Sequence, residues 1–133
     1  MLKRSSDSVK ITWFDRKRSL KELRKAVHKL AEEHPEIEAV ILFGSLATGE
    51  AVPGSDADLL LVLDRSDQHF LSRIPRYVPS RCKIDVDVFP YTEDEIEKML
   101  AAGNPFIKEA LEHGVELFKR KSLNIKGTER RAR

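Results

Sequence analysis

The chain has 133 residues, a single cysteine and a formal net charge of +2, with 41% hydrophobic and 35% charged residues. That length fits one domain that buries a core without disulfides or a structural metal, and a lone Cys82 excludes an internal disulfide and suits a reducing compartment. No apolar leader opens "MLKRSSDSVK", and the longest apolar run, "LLLVL", is too short to cross a bilayer, so a soluble, cytoplasmic protein without a membrane partner is expected.

Charge is unevenly spread. Residues 1–18 carry six Lys/Arg and two acids, and residues 119–133 carry seven and one. The stretch between them holds 11 basic and 19 acidic residues. The expected organisation is therefore a basic N-terminal segment (1–18), a domain (19–118) and a basic, flexible tail (119–133). An acidic body argues against a broad nucleic-acid surface. The basic ends suit a polyanion or an acidic partner, or serve only as solubilising termini.

"SLKELRKAVHKLAEEHP" predicts an amphipathic helix with Leu20, Leu23, Val27 and Leu30 as its apolar stripe. Ser19 and Glu22 form a capping-box pattern at its start, and Pro35 closes it. "IEAVILFG" is short, β-branched and apolar, and predicts a strand. "SLATGE" leaves room only for a turn or a short helix, and "DADLLLVLD" predicts a second strand. "RSDQHFLSRIPRYVPS" is ambiguous, with space for a short helix before Pro75. "CKIDVDVFPY" alternates and predicts a third strand. "TEDEIEKMLAAG" predicts a helix capped by Thr92 and Glu95 and stopped by Gly103. "NPFIKEALEHG" predicts another, with Pro105 in its first turn, before a small final strand "VELFK". The class is α/β (α+β), a small mixed β-sheet packed by helices.

The chemistry lies in the acids. Residues two apart on a strand share a face, so Asp56 and Asp58 project together, with Ala57, Leu59, Leu61 and Leu63 opposite them. Asp85 and Asp87 repeat this against Ile84, Val86 and Val88. If the two strands are neighbours about 4.8 Å apart, three or four carboxylates meet on one patch. Such groups repel unless a cation joins them, and hard oxygen donors suit Mg²⁺ or Mn²⁺ beside a phosphate. Gly44-Ser45 sits just upstream, at a turn where backbone N–H groups and a hydroxyl can hold phosphate oxygens. Each part alone is weak. A D-x-D at a strand start is usually solvated, "GSLATG" lacks the lysine of a Walker loop, and "DADL" lacks the further ligands of an EF-hand.

The ordered set is more specific. Gly44-Ser45, ten residues, then Asp56-Ala57-Asp58 resembles the G-S-x(10)-D-x-D signature of the polymerase-β-type nucleotidyltransferase superfamily. "IDVDVFPYTEDEIEKM" and "NPFIKEALEHGVELF" are similar to the third-carboxylate strand and C-terminal elements of its minimal nucleotidyltransferase branch. The resemblance spans about residues 20–120. It implies that Gly44 and Ser45 hold the phosphates of a nucleoside triphosphate, ATP above all. It implies that Asp56 and Asp58 ligate Mg²⁺ (or Mn²⁺), joined by Asp87, five residues before the capping Thr92; Asp85 shares that face and stays open. The reaction implied is transfer of NMP to a hydroxyl presented by a second protein or a second subunit of a homo-oligomer. Partners in that branch include HEPN-type helical toxins, so an antitoxin that modifies or merely covers such a toxin is implied as well.

Other residues carry less. His28, His34, His69 and His113 lack ligand spacing, Cys82 reads as structural, and Trp13 and Phe14 as packing groups. Arg73, Arg76 and Arg81 read as surface residues, with a triphosphate or an acidic partner as the alternative.

Overall fold

The computed structural model describes residues 2–44, 57–79 and 85–120, with side chains from Lys17 onward. Ser45, Asp56, Arg81, Cys82, Ile84, the "SLATGE" turn, the tail after Arg120 and the side chains of Trp13 and Phe14 lie outside the described residues.

Helix α1 spans Leu2–Glu33. It passes Ser19 without a break, so the expected helix start at Ser19 is corrected: no glycine or proline interrupts residues 2–33. The Ser19/Glu22 pattern has no free N–H groups to cap when a helical turn precedes it, and the Glu22 Oε1 is buried without a hydrogen-bond partner among the described residues. Strands β1 (Ile37–Phe43) and β2 (Ala57–Leu63) follow. Next come a short helix α2 (Phe70–Arg73) running into a 3-10 turn at Ile74–Tyr77, and then β3 (Val86–Thr92). Helices α3 (Glu93–Ala101) and α4 (Pro105–His113) precede β4 (Val115–Lys119).

The strand order is β3-β2-β1-β4. β1 runs antiparallel to β2 and β4, and β2 runs parallel to β3. The parallel pair needs a crossover, which the segment holding α2 supplies. Helices cover both faces. On one, Leu23, Val27 and Leu30 of α1 meet Val40, Leu42, Leu59, Leu61 and Leu63. On the other, Ile96 of α3 and Ile107, Ala110 and Leu111 of α4 meet Ala39, Ile41, Leu60 and Val62. β2 is therefore buried on both faces, as its unbroken Leu/Val run requires.

Local signals match their elements. Thr92 and Glu95 form the expected capping box: the Thr92 hydroxyl accepts from the Glu95 N–H (3.2 Å) and Glu95 Oε1 accepts from the Thr92 N–H (2.9 Å). Gly103 follows α3 with φ +77. Asn104 caps α4 by accepting from the Ile107 N–H.

Gly114 joins α4 to β4 with an ordinary φ of −73, but a Cβ there would lie 2.3 Å from both the Ala110 carbonyl and the Ile41 Cγ2. Both neighbours are fixed, one in helix backbone and one in the core. Gly114→Ala should therefore destabilise the fold by about 1–3 kcal/mol through overpacking, seen as a lower urea midpoint in equilibrium unfolding.

Candidate active site

One end of the sheet gathers the C-terminus of β1 and the N-termini of β2 and β3. Asp58 pairs in register with Phe43 of β1 and with Asp87 of β3. Paired residues share a face, so both carboxylates leave the sheet on the side of α3 and α4, from strands about 4.8 Å apart. Further along that face Leu60 and Val62 are covered by helix, whereas Asp58 is half-buried and Asp87 exposed. The acids stand where the helical cover stops. Asp85 lies just before β3, and its carbonyl accepts from the Ala57 N–H (2.8 Å), which ties the start of β3 to β2. The register sets Asp87, rather than Asp85, opposite Asp58.

Gly44 ends β1 with φ +84, a conformation that costs other residues about 1–2 kcal/mol. A Cβ on Gly44 would sit 2.6 Å from Asp58 Oδ2. The missing side chain thus does two things: it turns the chain, and it clears space for a carboxylate.

Beneath the acids lies an aromatic floor that the sequence reading did not single out. Phe43 and Phe89 project on the same face as Asp58 and Asp87, and Phe106 enters from the first turn of α4. Ring centroids are 5.1 Å apart for Phe43–Phe106, 5.2 Å for Phe89–Phe106 and 5.6 Å for Phe43–Phe89. These edge and tilted pairings lock three elements together below the carboxylates. The available signal was an aromatic directly before Gly44 and another two residues after Asp87.

The donor set suits a hard divalent cation. Asp58 and Asp87 supply carboxylate oxygens from rigid strands, and Mg²⁺ characteristically takes one or two carboxylates and leaves its other positions to water and phosphate. Among the described residues no group of three or more His, Cys, Asp or Glu side chains is placed to hold a metal; Asp56, one residue before β2, lies outside them.

The arginines of the crossover bind their own chain. Arg73 is 4% exposed. Its guanidinium donates to both Glu95 oxygens (2.7 and 3.0 Å), to the Pro90 carbonyl (2.9 Å) and, through Nε, to the Gln68 carbonyl (2.9 Å). It is therefore a structural clamp on β3, not a surface group. The Arg73 bonds hold the Glu95 carboxyl below its ordinary value despite burial, with the Thr92 N–H adding to the effect. Arg76 lies 3.7 Å from Glu36 at the far end of the sheet. There Tyr77 donates to Glu36 (2.6 Å). Burial would raise the Glu36 carboxyl, but the Tyr77 hydroxyl and the charges of His34 and Arg76 outweigh it and lower it.

No described helix is long and apolar enough to cross a membrane. A comparison with curated proteins finds no match. Among solved structures, the chain is similar to a protein of Sulfolobus solfataricus described as a candidate nucleotidyltransferase. The two share 25% identity over 79% of this chain and 84% of that one, with a TM-score of 0.56. The fold is also shared with a chain of a toxin-antitoxin structure determined with AMP-PNP, at 16% identity, 82% coverage of both chains and a TM-score of 0.55. The family model "Polymerase beta, Nucleotidyltransferase" matches residues 25–123, more than half of the chain. With its α+β sheet and paired aspartates, the chain belongs to the polymerase beta nucleotidyltransferase family.

Proposed function

We propose that the protein is a metal-dependent nucleotidyltransferase that moves NMP, as AMP from ATP, onto a hydroxyl of a partner protein. The observation that carries this reading is the register of Asp58 with Asp87 beside a glycine that makes room for the carboxylate.

Asp56, Asp58 and Asp87 would hold Mg²⁺ or Mn²⁺, which when bound neutralises the carboxylates and the triphosphate. Gly44 and Ser45 would hold phosphate oxygens at the end of β1. The acceptor hydroxyl attacks the α-phosphorus, the bond from that phosphorus to the bridging oxygen breaks, and pyrophosphate leaves. The hydroxyl proton passes to Asp87, which is exposed enough to reach an incoming acceptor. Catalysis of this kind is positioning plus charge stabilisation.

In this reading the acceptor hydroxyl is presented by another protein. A HEPN-type helical toxin is the partner we favour. A second reading, an antitoxin that covers its toxin without turnover, draws on the toxin-antitoxin neighbour.

The test is transfer of label from α-labelled ATP to the partner in the presence of Mg²⁺, with pyrophosphate release. Labelled partner together with stoichiometric pyrophosphate supports the enzyme. Toxin inhibition without label, persisting in an Asp58→Asn variant, supports covering alone.

A further inference from the structure

One side of α1 carries a row of positive charge. Lys17, Lys21, Lys25 and Lys29 recur every fourth residue along α1 and are all exposed. Arg24 and His28 lie between them, and an open groove is lined by Lys21, Arg24, Lys25, His28, Lys29 and the single acid Glu32. Successive lysines rise about 6 Å along the helix axis. Like charges at this spacing repel and weaken a helix, and no ion pair to these lysines occurs among the described residues. The helix tolerates the repulsion because its opposite face is buried against the sheet.

We propose that this face of α1 binds the phosphate backbone of a single-stranded nucleic acid. Two observations favour this over an acidic peptide. The cations form a regular ladder of one sign, matching the regular phosphates of an extended strand. His28 places an exposed planar ring within the ladder, held against Phe118 with centroids 5.2 Å apart at 90°, and exposed rings among cations are how single strands are stacked. The acids of the candidate active site lie apart from this surface, because Asp58 and Asp87 emerge on the other face of the sheet. The surface is independent of the catalytic reading.

The test is fluorescence anisotropy of a labelled 20-nucleotide oligouridine with the full chain between 50 and 200 mM salt. Binding should weaken steeply with salt. In a Lys21→Gln/Lys25→Gln/Lys29→Gln variant the slope of log K against log salt should shrink by about 2, from roughly 0.7 for each lost phosphate contact on a single strand. His28→Ala should lose affinity several-fold, and His28→Phe should restore it. Binding that is absent at 50 mM salt, or unchanged in the triple variant, overturns the proposal. Competition by polyglutamate as effective as by unlabelled oligouridine overturns it in favour of an acidic peptide. Because anisotropy reads binding alone, its failure is distinct from a failure of label transfer.

Discussion

Asp58→Asn is expected to lower nucleotidyl transfer by roughly 10²–10³-fold, the size of effect seen when one preorganised electrostatic group is removed from a reaction centre. The substitution keeps the shape of the side chain and removes one charge from the pair formed with Asp87. Asp87→Asn should act in the same direction. Gly44→Ala is the more searching variant. It retains both acids, yet its Cβ would lie 2.6 Å from Asp58 Oδ2 at a backbone φ of +84. It should lose activity through displacement of the carboxylate, with only about 1–2 kcal/mol of backbone strain. Steady-state transfer rates, with circular dichroism to verify the fold, decide the matter. Transfer that survives an Asp56→Asn/Asp58→Asn double substitution would refute the role proposed for these acids.

The largest effect on stability is expected at Arg73. Arg73→Ala strands the Pro90 and Gln68 carbonyls and leaves Glu95 without its partner. Breaking a buried pair costs about 3–5 kcal/mol, and the 39% exposure of the Glu95 side chain reduces this to about 2–3 kcal/mol through solvent screening. The pH dependence has a definite sign. The folded Glu95 carboxyl lies below its ordinary value of 4.5. Its contribution is complete above that value and is lost as the pH falls from there through the folded value. Urea unfolding should therefore show a wide gap between wild type and Arg73→Ala at pH 7 that narrows at pH 3. A gap that stays constant with pH would mean that the carbonyl contacts, not the carboxylate, carry the stability. Among the described residues β3 is an edge strand bonded only to β2, so the same variant should also loosen the strand that carries Asp87.

Local chemistry was readable in the chain itself. Thr92 and Glu95 announce a helix start because a capping box involves only neighbours in sequence. Asp58 with Asp56, and Asp87 with Asp85, read as sharing a face of their own strand because the pleat has a period of two. The Leu/Val run from Leu59 to Leu63 announces a buried strand. The start of α1 is not legible locally, because Ser19 and Glu22 have the cap pattern while the helical turns before them supply what a cap would.

Periodicity says which face a residue occupies, not which strand lies beside it. The parallel pairing of β2 with β3 joins residues some thirty positions apart, and only the packed sheet brings Asp58 opposite Asp87. The same non-local packing turned Arg73 into an internal clamp and placed three phenylalanines beneath the acids. It also showed that Gly44 is required for the space Asp58 occupies. Long-range contacts of this kind depend on the whole core closing at once, and no short window of sequence encodes them.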